Sequence, residues 1–152
     1  MEVNELKNSL LQACEEFISD RKAKVLKALN DIKESLFDES KTTVGDKHHT
    51  NRARLQNERE SLGAHLLEIE RVEARLHKID FDIASEAVHL GSLVETNLGV
   101  YFISISMGAA EIEGKTIYCV APNSPVGQAL LGKKVNETGT FQDKSITIAS
   151  IK

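Results

Sequence analysis

Apolar residues recur at steps of three and four from Val3 to Phe37: Val3, Leu6, Leu10, Cys14, Phe17, Ile18, Val25, Leu29, Ile32 and Leu36. No Gly or Pro interrupts the run, so the spacing predicts an amphipathic helix of about nine turns with one apolar stripe. Its other faces are polar, with Glu5, Lys7, Asp20, Arg21, Lys22, Lys24, Lys27 and Glu34. A stripe this long needs a partner. It follows residue 50, where Leu55, Leu62, Ile69 and Leu76 are spaced by seven, with Val72 and Ile79 at the d-type positions and Leu66 alongside. Glu58 and His65 occupy the remaining d-type positions and weaken the seam towards its start. Two such helices predict an antiparallel coiled-coil hairpin of residues 1–80, an arm of about 30 residues reaching roughly 45 Å. A parallel homodimeric coiled coil is the competing reading of the same heptads.

The two patterns meet at Asp38–Thr50, and neither continues across it. The stretch holds one aliphatic residue, Val44, among acids, bases and imidazoles. Thr42-Thr-Val followed by Gly45-Asp46 is a poor helix interior and a good reversal, so the tip is expected at about 38–50.

Beyond Asp80 the period changes. Residues 80–87 read as a linker, and a second domain of residues 81–152 has the alternation of strands. Ser92–Thr96 and Val100–Ser106 flank a hairpin signal at Asn97-Leu-Gly99. Glu113-Gly114 turns the chain into a strand at Lys115–Ala121, and Gln142-Asp143-Lys144 leads into a last strand at Ser145–Ile151. One short helix is written between them. Ser124 suits the N-cap and Pro125 the first helical position, while Val126, Ala129, Leu130 and Leu131 supply an apolar side. Gly132 fits the position after the C-cap, and Lys133 and Lys134 complement the negative helix end. The fold class is α+β: a helical hairpin, then four or five antiparallel strands with one short helix as their cover.

Composition narrows this picture. The 152 residues have no Trp and 5% aromatics, which suits a coiled coil and one modest core. A net charge of −4 argues against autonomous, sequence-independent nucleic-acid binding. Cys14 and Cys119 stand far apart and show neither a disulfide framework nor metal spacing. With no leader pattern and no long apolar run, the expectation is a soluble, cytoplasmic protein without membrane contact.

The stretch Ser124-Pro-Val-Gly-Gln-Ala-Leu-Leu-Gly-Lys-Lys-Val135 resembles the signature near the C-terminus of bacterial transcript-cleavage factors, the Gre family. Val88–Val94 is similar to the first strand of that family's C-terminal domain, and Thr147–Ile151 to the last. The order of parts matches along essentially the whole chain. The resemblance implies an FKBP-like C-terminal domain, with the fold of FK506-binding proteins. It also implies a monomer that partners RNA polymerase, docking at the rim of the secondary channel through Ser124, Pro125, Gly127, Lys133 and Lys134. The coiled coil then enters the channel and stimulates cleavage of backtracked transcripts, meeting the RNA 3′ end only indirectly. In that account the factor is not an enzyme and has no cofactor of its own. An acid at the tip, Asp46 here, helps position a second Mg2+ shared with the polymerase active site. Hard oxygen ligands and two-metal phosphodiester hydrolysis make this chemically coherent.

The family places a Glu three residues after that Asp, and this chain has His49. An imidazole is a softer ligand and brings no negative charge for magnesium. Asp38 and Glu39, across the turn, are weaker candidates to replace the lost acid. Lys41, Lys47, Arg52 and Arg54 are candidates for contact with RNA or the channel. Each has a plainer reading. Asp46 also suits a turn or helix cap, His48 and His49 suit a solvated surface, and the four cations suit a mixed-charge helix end. Two further functions stay open: a channel-binding regulator without cleavage activity, and a chaperone or prolyl isomerase. The second has only Tyr101, Phe102, Tyr118 and Phe141 to line an aromatic pocket.

Overall fold

The computed structural model describes residues 2–40 and 45–152, with the side chains of residues 45–49 left out. The two stripes form α1 (Val3–Ser40, 38 residues) and α2 (Gly45–His77, 33 residues). The helices therefore close on the turn more tightly than Asp38–Thr50 suggests. α1 keeps Asp38–Ser40, and α2 already includes Gly45–Thr50. Helical hydrogen bonding extends through polar residues that the apolar pattern cannot report.

Packing divides the chain into two compact units, one of Ile18–Glu73 and one of Met1–Phe17 with Ala74–Lys152. In the first, Ile32, Leu36 and Leu55 form a buried cluster with Leu62 against it. Lys22 Nζ pairs with Glu73 at 3.0 Å, and Arg21 meets His65 at 3.2 Å. Residues in the middle of α1 thus meet the later part of α2, and Glu39 at the end of α1 meets Asn51 near the start of α2, which makes the pair antiparallel within one chain. Of the heptad positions, Leu55 and Ile69 are buried, whereas Glu58 and His65 are exposed.

The second unit is built on six strands: β1 (Leu93–Thr96), β2 (Gly99–Ile103), β3 (Gly108–Ile112), β4 (Lys115–Val120), β5 (Thr138–Phe141) and β6 (Lys144–Ile151). They lie in the order β3-β4-β2-β1-β6-β5. Three two-residue hairpins set local registers. Asn97-Leu98 joins β1 to β2, Glu113-Gly114 joins β3 to β4, and Gln142-Asp143 joins β5 to β6. Both residues of the last two turns have positive φ, which matches the right-handed twist of paired strands.

The expectation of a wholly antiparallel sheet is corrected at one pair. β2 and β4 run parallel, with Val100 opposite Ile117 and Phe102 opposite Cys119. The cause is β3. The chain crosses over after β2, forms the outer strand, and returns by a tight turn to insert β4 between β3 and β2.

The helix α3 (Pro125–Leu130) covers one sheet face through a core of Val94, Tyr101, Ile103, Val126, Leu130, Ile146 and Ile148. The other face carries Leu93, Phe102, Ile117 and Cys119, and α3 is not its cover. There the first turns of α1 take part. Cys14 Sγ lies 3.6 Å from Ser104 Oγ, and the Cys14 and Cys119 thiols are hydrogen bonded. That bond, and then burial, push the Cys119 thiol well above its usual range. Lys7 is buried with its ammonium 4.9 Å from the centre of the Phe81 ring, and burial lowers its pKa. Among the described residues, no helix is long and apolar enough to cross a membrane.

Candidate functional site

Two regions carry the residues singled out from sequence, and they belong to different packing units. At the hairpin end, Lys41 lies outside the described residues, as do the side chains of Asp46, Lys47, His48 and His49. Their backbone positions from 46 to 49 fall in the first turn of α2. A carboxylate there is favoured by the positive end of the helix dipole.

The described residues beside them form a cross-hairpin network. Asn51 Nδ2 donates to Glu39 Oε1, joining α2 to α1. Arg54 Nη2 donates to Asn51 Oδ1 at 2.8 Å, and Arg54 Nη1 pairs with Glu58 at 2.8 Å. Glu39 is therefore half-buried and engaged, while Asp38 is exposed and Arg52 half-buried. Arg54 spends both terminal guanidinium nitrogens within its own helix, which ties it to the network. Among the described residues, no group of three or more His, Cys, Asp or Glu is placed to hold a metal ion.

The second region is the signature Ser124–Val135. Ser124 caps α3: its Oγ accepts from Gly127 N at 3.1 Å and donates to Ala121 O at 2.7 Å. Pro125 stands at the start of the helix, where no N–H is needed. Gly127 is buried so tightly that a Cβ there would lie 2.1 Å from Ala121 O. Ser124 and Gly127 thus have complete structural explanations. Gly132 has φ +79, the left-handed conformation expected after the helix.

Leu131 corrects the sequence reading. The helical period places it on the apolar side with Leu130, but Leu130 is fully buried and Leu131 is 45% exposed. The helix ends at Leu130, and Leu131 takes an extended conformation (φ −57°, ψ 130°) that leaves the helical face. Val135 is also exposed. Lys133 is bound to the domain by its backbone, whose carbonyl accepts from Val88 N at 2.8 Å. Lys134 N donates to Glu137 Oε1 at 2.7 Å, which leaves the ammonium outside the backbone bonding. Beside them an open groove of about 470 Å³ is lined by Ser85, Glu86, Lys134, Val135 and Ile151. The exposed apolar residues at this face were missed from sequence, because the helical period assigned Leu131 inward.

The four aromatics considered for a prolyl pocket do not all share one face. Tyr101 pairs with Tyr118 at 5.7 Å between ring centres, and Phe141 packs against the α3 core. Phe102 is the next residue along β2 and faces the opposite side.

No family model matches the chain, and no curated protein does. Among solved structures, the transcription factor Gfh1 is similar at 17% identity, covering 90% of this chain and 92% of that one, with a TM-score of 0.36. The GreA factor homolog 1 (Gfh1) of Thermus thermophilus shares 18% identity over 95% and 93% of the two chains, with a TM-score of 0.34. Gfh1 of Thermus aquaticus shares 19% identity over 85% and 92%, with a TM-score of 0.35. Likenesses at these TM-scores establish neither a family nor a function.

Proposed function

We propose that this chain is an RNA polymerase-binding transcription elongation factor whose hairpin enters the secondary channel and stimulates cleavage of backtracked transcripts. The observation that carries the reading is Gly45-Asp46 opening the first turn of α2, at the end of a helix pair of 38 and 33 residues. At 1.5 Å per residue, the helical parts of the hairpin unit, residues 18–40 and 45–73, are roughly 35–45 Å long, a useful reach for a deep channel. The signature Ser124–Val135 supports the docking half, since it ends in an exposed apolar and basic face of Leu131, Lys134 and Val135. The factor works as a monomer and is not itself an enzyme. Magnesium belongs to the polymerase site, and Asp46 contributes one hard oxygen ligand to it.

His49 favours a second reading, a channel-occupying regulator that does not stimulate cleavage. It stands where the resemblance calls for a carboxylate, so the tip brings one acid fewer to a doubly charged ion. The test uses purified backtracked complexes. The cleavage reading expects faster transcript shortening with the wild type, loss of most of it with Asp46→Ala, and a gain with His49→Glu. No acceleration by the wild type, with acceleration restored by His49→Glu, establishes the regulator instead. Equal acceleration by wild type and Asp46→Ala removes Asp46 from the mechanism.

A further inference from the structure

The sheet face opposite α3 is not filled along its whole length. Where Cys14 meets Cys119 and Ser104 the packing is closed, with both thiols fully buried. Towards the start of α1 it opens. Val3 and Leu6 are only half-buried, and between them and the strands lies a cavity of about 390 Å³. Its floor is apolar, from Leu93 on β1, Val100 on β2 and Ile117 on β4. The pairing registers explain why these side chains converge: Val100 is opposite Ile117, and Leu93 is opposite Phe102 on the same face.

The mouth is polar. Glu95 and Lys152 both line it and pair with each other at 3.2 Å. Lys115 lines it two residues before Ile117 on β4, and among the described residues it makes no ion pair. The side chains that line the site therefore present an apolar floor, two ammonium groups and one carboxylate, with Glu111 held just outside by the Thr116 hydroxyl. An apolar cleft with a few placed polar groups is the usual form of a small-molecule site.

We propose that this cavity binds a small monoanionic amphiphile, a medium-chain or aryl carboxylate, with its apolar body on Leu93, Val100 and Ile117 and its carboxylate at Lys115. At roughly 30 Å³ per water-sized group, the cavity has room for about a dozen heavy atoms. That excludes long-chain lipids and nucleotides and admits octanoate. A dianion is disfavoured, because Glu95 stands at the same mouth. The site belongs to the sheet unit and is independent of the hairpin tip, so it holds or fails whatever the tip does.

The test is a methyl-resolved NMR titration of the full chain with octanoate, repeated with octanol as the uncharged probe. Octanoate is expected to give saturable shifts at Val3, Leu6, Leu93, Val100 and Ile117. Lys115→Met, a change at an exposed position, is expected to weaken octanoate about tenfold and leave octanol unchanged. Shifts that do not saturate, that fall on Leu131 and Val135 instead, or that are indifferent to Lys115→Met overturn the proposal.

Discussion

The two packing units reach stability by different means. The sheet unit encloses large side chains completely: Val94, Phe102, Ile103, Leu130, Ile146 and Ile148 have no exposed surface. Gly127 and Gly139 there fit against the carbonyls of Ala121 and Ala129 with no space for a Cβ. The hairpin unit has a thin seam, one stripe of apolar residues per helix, and leaves Leu26, Phe37 and Leu67 about half exposed. Towards its end, contact across the helices passes from apolar packing to the hydrogen bonds of Glu39, Asn51 and Arg54. A long helix pair has little interior, so its stability comes from many small packing contacts repeated along the seam. The difference assigns precision to the sheet unit and tolerance to the arm.

Glycines give the sharpest contrast. Gly127→Ala places a Cβ 2.1 Å from Ala121 O, a backbone atom that cannot yield, and is expected to cost about 3 kcal/mol or more. Gly63→Ala, in the middle of α2, meets nothing within 4 Å and should stabilise by about 0.5–1 kcal/mol. Chemical denaturation of both variants reads the comparison directly, and equal losses would end it. Between these extremes, Leu130→Ala should lower stability by about 3 kcal/mol and Leu55→Ala by about 2 kcal/mol. Hydrogen exchange should show the Leu55→Ala loss confined to the hairpin. Protection lost across β1–β6 as well would mean that the units do not open separately.

The smallest effect concerns Lys7. Its lowered pKa means that the folded chain releases this proton before the unfolded chain does. Between the folded value and 10.5, the unfolded state binds more protons, so stability from this group rises with pH in that window. Below the window the charged side chain stays buried, at a cost that Phe81 partly offsets. Lys7→Met should raise the melting temperature at neutral pH by about a few degrees and remove the alkaline rise. A lower melting temperature would show that the cation–aromatic contact outweighs burial.

How much of this was legible in the sequence depended on how local each signal is. The hairpin helices were, because Leu55, Leu62, Ile69 and Leu76 repeat without interruption. The cap at Ser124 and the turn at Glu113-Gly114 were too, since each rests on the chemistry of two or three adjacent residues. β3 and β5 were not. They are the two edges of the sheet, and Gly108–Ile112 and Thr138–Phe141 bury too little to alternate visibly. The parallel β2–β4 pair was hidden because register between distant strands leaves no local mark. The same holds for α1, whose stripe announces that it is covered without saying whether α2 or the sheet covers it. At the candidate site the capped helix was legible, while the exposure of Leu131 depended on where α3 stops.

The central claim is that residue 46 reaches the polymerase active site. Cys14 and Cys119 are buried, so in Asp46→Cys the new thiol can be coupled selectively to a short photocrosslinker. In a backtracked complex, this account predicts crosslinks from position 46 to the RNA 3′ end and to polymerase groups around the catalytic magnesium. Crosslinks from position 46 only to the outer polymerase surface, or none with the labelled factor bound, would contradict it.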